Sequence, residues 1–257
     1  MMDFEQIRQY WEQRAAADTS AQSTTQDYYL REIEFRVLHD SLVKYRPARI
    51  MDIGCGDAST TIRLASFFPG TQFIAGDYSS SMRRNAVTNL ANSGLSNISI
   101  ENCDITEPLL AKSQDLVYTT RCLINLPSWE LQQRAIQSIH GALGAGGIYV
   151  MIENFIEGQE NVNYLREAFG LPQIAVRSHN LFFERSKLFE FLMPSFDVIE
   201  EVNISSTYYL VSRIIYSKIC QDKAVQPDYF DAHHRYACAL PFSGEYGPVR
   251  MLSLRRK

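Results

Sequence analysis

Asp52, Gly54 and Gly56 stand within five residues in RIMDIGCGDAST, which runs from Arg49 to Thr60. The apolar lead-in predicts a strand and the segment from Thr60 a helix, so the acid and both glycines fall on the turn between them. Glycine has no Cβ, so the backbone around Cys55 can turn sharply and admit a ligand. The helix that follows offers free N–H groups. Two more acids stand at the ends of the next two strands, Asp77 in FIAGDYSSSM and Asp104 in ENCDI. At the second strand end a carboxylate can accept from a ribose diol. At the third it can accept from an exocyclic amine such as that of adenine. Taken singly, Asp77 and Asp104 read equally well as turn or cap residues. Three acids at three successive strand ends describe a nucleoside-shaped pocket. The frame Gly54-Cys55-Gly56-Asp57-Ala58-Ser59 lacks the third glycine of a pyrophosphate loop. No phosphate clamp is therefore expected.

The elements that must position these residues alternate. Short helices are predicted over 4–14 and 26–44, joined by a small polar connector at 15–25. Strands follow at 50–53, 72–75, 98–102, 115–119 and 148–152, with helices at 60–68, 80–92 and 128–143. Repeated strand–helix alternation with short apolar strands predicts a doubly wound, mostly parallel α/β sheet. An insertion at 155–194 carries helical stretches near 161–169 and 186–192. Asp197–Ser205 and Tyr208–Ser217 read as two strands of an antiparallel hairpin, with Tyr208 and Tyr209 on opposite faces.

With its motifs in place, the chain resembles the class I S-adenosylmethionine-dependent methyltransferases over about residues 26–217. The resemblance rests on RIMDIGCGDAST, FIAGDYSSSM, ENCDI, SQDLVYTTRCLINLPSWE and LGAGGIYVMIENF, in that order and spacing. It implies a Rossmann-like seven-stranded sheet whose last strand is antiparallel, and S-adenosyl-L-methionine as cofactor. It implies that Gly54 and Gly56 face the methionine moiety, with Asp52 and Cys55 in the same loop. Asp77 would hold the ribose, with Tyr78 and Met82 near the adenine or ribose. Asp104 and Ile105 would bracket adenine, and Arg121 would lie by the sulfonium. Ala58 departs from the family, many members of which carry a third glycine there. The segment from Tyr10 resembles the lid of small-molecule methyltransferases. There Tyr10, Trp11 and Arg14 would close over the cofactor, while Thr25 and Arg31 would reach its carboxylate; Trp11 and Arg31 read equally well as packing and solvating the first helices. The implied division is a helical lid at 1–44, a core at 45–217 that includes the insertion shaping the acceptor pocket, and a tail at 218–257 packing on the core.

Methyl transfer is an in-line displacement in which positioning can supply roughly 7–11 kcal/mol and a general base about 10²–10⁴-fold. Candidates for the base are His179, in the polar knot VRSHNLFF with Arg177 and Asn180, and Glu153, beside Asn154 at the end of the fifth strand. Glu153 serves equally as an anchor for the lid or the insertion. The aromatic and polar mixture of the insertion, with Tyr229, Tyr236 and Tyr246 beyond it, suits a small polar acceptor such as a sugar or natural-product intermediate, methylated on oxygen or nitrogen. The rival readings are a non-catalytic nucleoside-binding module and an NAD(P)-dependent reductase. The reductase would require GxGxxG and usually Tyr-x-x-x-Lys, both missing here.

The bulk numbers fit. The chain has 257 residues, 46% apolar and 21% charged, with a net charge of −4. That balance lacks the basic face of a nucleic-acid binder, and RRK at 255–257 reads as a solvated tail. The five cysteines show no CxxC pair. Neither a zinc site nor a redox pair is signalled, and a cytoplasmic setting is expected. MMDFEQIRQYWEQR lacks an apolar signal core, and no stretch approaches the roughly 18 apolar residues of a membrane span. The oligomeric state, monomer or homodimer, is left open. His233 and His234 are adjacent and share no helix face, which disfavours a metal pair.

Overall fold

Ile148, Val150 and Ile152 pack into one core while Tyr149 and Met151 pack into another, and all five are buried. A strand apolar on both faces needs a helical layer on each. The computed structural model describes residues 2–19, 24–109 and 111–257. Residues 20–23 of the expected connector lie outside these.

The five parallel strands are β1 (Arg49–Ile53), β2 (Gln72–Asp77), β3 (Ile98–Asn102), β4 (Gln114–Thr120) and β5 (Leu143–Asn154). Two more, β6 (Phe196–Asn203) and β7 (Val249–Arg256), complete a sheet of order β3-β2-β1-β4-β5-β7-β6. Strand β7 runs antiparallel to both β5 and β6. The helices before the insertion are α1 (Phe4–Ala17), α2 (Tyr28–Tyr45), α3 (Ser59–Phe67), α4 (Ser80–Ser93) and α5 (Trp129–Ala142). Their starts are written in side chains. Asp3, Asp27, Ser79 and Ser128 each accept a backbone N–H from the first turn. On one face of the sheet, Leu38, Leu42 and Leu64 of α2 and α3 cover Ile50, Leu116 and Val150. On the other, Ile136 and Ile139 of α5, with Leu188 of α7 (Arg185–Leu192), cover Met51, Val117 and Tyr149. The insertion supplies α6 (Ile156–Ala168), α7 and the loop between them.

The antiparallel partner of β6 is not the expected one. Residues 206–222 are helical. Helix α8 (Ser206–Tyr209) runs through a π-helical turn, Leu210–Ile215, into α9 (Tyr216–Asp222). An apolar run such as YYLVSRII serves a buried helix as well as a strand, because periodicity alone does not separate them. The true partner, β7, comes after α10 (Ala232–Ala239). Residues 218–257 are therefore not a tail packed on the core. Their last strand lies inside the sheet, and Arg255 and Arg256 close that strand rather than forming a solvated tail.

Candidate functional site

A cavity of about 340 Å³ opens across the carboxyl ends of β1, β2, β4 and β5. That is the size of a small-molecule site. One half is built by the turn after β1. The amides of Gly54 and Cys55 both donate to the Gly76 carbonyl, at 2.8 and 3.0 Å, and that of Ala58 donates to Cys55. The Gly56 amide donates to the Asp77 carboxylate at 2.9 Å. The turn is therefore held in shape by its own hydrogen bonds, with these four amides already committed. Gly54 has φ +75° and Gly56 φ +57°. A Cβ on Gly54 would sit 2.5 Å from Cys122 Sγ. Ala58 also takes a left-handed conformation, φ +57°, so the missing third glycine falls where the backbone still favours one.

Asp52, Gly54, Cys55, Gly56, Asp77, Tyr78, Met82 and Ile105 all line the cavity. Asp52 accepts from the Thr61 hydroxyl, and burial pushes its carboxyl up to about 7 against the hydrogen bonds of Thr61 and Tyr118. Asp77 also takes the Ser79 amide at 2.9 Å, and burial raises it despite both amides. Asp77 is thus a turn-holding residue and a wall residue at once.

Asp104 does not reach the cavity. Its carboxylate accepts from Thr106 and pairs with Arg8 of α1 at 2.8 Å, leaving Cys103 and Ile105 as the wall. Arg8 also lies 4.9 Å from the Tyr78 ring centre. Helix α1 is latched further by Glu12, whose carboxylate takes the hydroxyls of Ser79, Ser80 and Ser81 and the Ser81 amide. Burial pushes Glu12 up, but those hydrogen bonds outweigh it and hold the carboxyl down at about 2. Of the lid residues, Trp11 lines the cavity and donates to Asn125 Oδ1 at 3.2 Å. Tyr10 is not in the wall; it stacks on His179 at 4.5 Å. Thr25 and Arg31 are in the wall, and the Arg31 guanidinium donates to Thr24. Burial lowers the basicity of Arg31.

The other half is assembled from side chains distant in sequence. Arg121, held at φ +49°, meets buried Glu34 in two contacts of 2.7 and 3.1 Å, which fix them as an ion pair. Asp27 takes Arg213 and the Tyr208 hydroxyl. Behind them, Tyr208 meets His234 Nδ1 at 2.8 Å, while His233 turns to Asp231. The two imidazoles share no site. Tyr209 and Arg213, four apart on the helical segment, both face the cavity, with the guanidinium also 5.0 Å from the Tyr229 ring centre. Asp27, Glu34, Tyr209 and Arg213 were not among the expected site residues. The Glu34–Arg121 pair joins α2 to the turn after β4, two segments far apart in the chain, and Tyr209 and Arg213 lie on the helix read as a strand.

His179 lines the cavity, buried under Tyr10 and Trp11, with no hydrogen bond to any described residue. Burial first, then Arg177 and Arg14, lower its pKa, so it is neutral at pH 7 and free to accept. Glu153, a candidate base in the sequence, does not line the cavity. It points to the opposite face of β5, where its carboxylate accepts the amides of Cys122, Leu123 and Ile124 at 2.9–3.2 Å. Burial pushes it up to about 7 against those amides. It anchors the loop after β4. No group of acids, histidines or cysteines among the described residues could hold a metal, and none of the described helices is long and apolar enough to cross a membrane.

Residues 50–147 match the family model described as "Methyltransferase domain". Solved structures share the fold at low identity. The N-methyltransferase NodS of Bradyrhizobium japonicum WM9, in complex with S-adenosyl-L-homocysteine, is 17% identical with a TM-score of 0.58, covering 98% of each chain. The magnesium protoporphyrin IX methyltransferase of Synechocystis PCC 6803, with the same ligand bound, is 14% identical with a TM-score of 0.63, covering 99% of this chain and 100% of its own. The cyclase SpnF is 18% identical with a TM-score of 0.55, covering 85% and 79%. No curated protein sequence matches.

Proposed function

We propose, from the premise that this chain is built on a methyltransferase domain at residues 50–147, that it methylates a small polar acceptor on oxygen or nitrogen with S-adenosyl-L-methionine as donor. The observation that carries this is one cavity with two unlike halves. A glycine turn with Asp77, Tyr78, Met82 and Ile105 forms one, and a polar wall with His179 the other. The residues fit the cofactor. The Tyr78 hydroxyl is buried in that first half without a partner among the described residues, and apolar Met82 and Ile105 line the same cavity. When bound, S-adenosyl-L-methionine supplies an electrophilic methyl group on sulfur. The chain orients the two partners, which is the larger part of the rate. His179, neutral and unpaired, takes the proton of a hydroxyl acceptor. Arg121 is tied to Glu34, so it shapes the wall rather than offering a free charge. A second reading keeps the nucleoside site without methyl transfer; the shared fold of the cyclase SpnF supports it.

Thermal shift with S-adenosylmethionine, S-adenosylhomocysteine and NADPH tests the reading. A ligand at a hundred times its Kd stabilises by about 2.7 kcal/mol, a rise of roughly 5–10 °C here. We expect the rise with both adenosyl ligands and its loss in Asp77→Ala. A rise with NADPH alone sinks the reading. Release of S-adenosylhomocysteine across an acceptor panel then separates an enzyme from a binding module.

A further inference from the structure

Among the described residues, three neutral polar atoms in the cavity wall are buried without a partner: Tyr78 Oη, Thr120 Oγ1 and Asn154 Oδ1. Tyr78 belongs to the nucleoside half. The other two stand on neighbouring strands. Thr120 ends β4 and is in register with Ile152 of β5, two residues before Asn154. Paired residues, and residues two apart on a strand, point to the same face. Thr120 and Asn154 therefore share one patch, while Glu153 between them points away.

Asn154 is 8% exposed, and its side-chain amide hydrogen-bonds to no described residue. Whichever way the amide is turned, one buried polar end of this cavity-lining residue is unmatched. Such a group costs about 1–3 kcal/mol, and in a native fold it asks for an explanation. The charged groups nearby do not supply one, since Glu34 and Asp27 are both closed on arginines.

We propose that Asn154, with Thr120, positions the accepting heteroatom for methyl transfer. This rests on the reading above. Asn154 Oδ1 and Thr120 Oγ1 accept hydrogens from an amine and so turn its lone pair toward the donor. That lone pair forms the new bond to the methyl carbon. The S–C bond breaks with its electrons left on sulfur, and the proton leaves to His179 or water. An amide oxygen takes a hydrogen bond but keeps no proton, so Asn154 selects acceptors that carry an N–H and disfavours tertiary amines and thioethers. It is a positioning residue, not a base.

The test needs no known acceptor. Sinefungin carries an amine where S-adenosylmethionine carries its transferable methyl group, and S-adenosylhomocysteine carries nothing there. Calorimetric Kd values for both are compared in the full chain and in Asn154→Leu and Thr120→Val. We expect Asn154→Leu to lose roughly tenfold for sinefungin and nothing for S-adenosylhomocysteine, Thr120→Val to lose less, and Asn154→Leu to melt no lower than the parent. Equal losses for both ligands, no loss for either, or a clear drop in melting temperature in Asn154→Leu would each overturn the assignment. Binding of neither ligand by the parent chain would overturn the cofactor reading itself, and this inference with it.

Discussion

The two halves of the cavity are built by different means. The half proposed to hold the nucleoside is a run of backbone. Gly54 to Ala58 turn on hydrogen bonds to Gly76 and Asp77, and few side chains are needed. The acceptor half is a meeting of side chains from α2, β4, β5, the insertion and the π-helical turn, held by ion pairs that close on themselves. A backbone turn fixes a shape that many chains can share. A wall of paired side chains can be exchanged residue by residue. Under the proposed function, the first half carries the common chemistry and the second the selectivity.

Breaking a pair in the acceptor half is expected to have the largest effect. Arg121→Met leaves the Glu34 charge buried and alone, a loss of about 3–5 kcal/mol by urea unfolding. The double variant Glu34→Leu/Arg121→Met recovers most of it. A single variant within 1 kcal/mol of the parent would show that the pair does not hold that wall. The nucleoside half breaks at its backbone. Gly54→Ala forces a Cβ against Cys122 at φ +75° and costs about 2–3 kcal/mol, with adenosyl binding lost. Unaltered binding would mean the turn is looser than its hydrogen bonds imply. The smallest effect sharpens the boundary between the halves. Glu153→Gln puts an NH₂ against one of three donating amides, costing about 1–2 kcal/mol at pH 5. Glu153 and Asp52 are both raised to about 7 in the fold. Their stabilising share is full below the ordinary carboxyl range near 4 and is lost as pH rises through 7. The urea midpoint should therefore fall between pH 5 and pH 8, and fall less in Glu153→Gln.

The nucleoside half was legible because its signals are local. Asp52 to Ser59 and Asp77 to Met82 are short stretches whose turn chemistry shows in residue types. Asp104 misled because its carboxylate is claimed by Arg8, nearly a hundred positions away in the chain. Glu153 and Asn154 show the limit well. Both sat at the expected pocket mouth in the sequence, but strand alternation sends one to the cavity and the other to the loop after β4. That parity follows from where β5 pairs with β4, which adjacent letters do not state. The strands to β5 were recoverable from alternation, whereas β6 was paired with a helix because YYLVSRII satisfies both periods. The aromatic and arginine side of the acceptor wall was lost with that helix.

The position of β7 bears on how the molecule is made. It pairs with β5 across about a hundred residues of intervening chain, and contacts so distant in sequence form slowly. Until β7 docks, β5 is an open apolar edge, the kind that recruits other chains. Asn154 pairs with Val249 at the start of β7. The strand that seats the acceptor wall is thus completed late in folding, and growth temperature and chaperone supply should govern the yield of soluble protein more than the strength of the nucleoside half does.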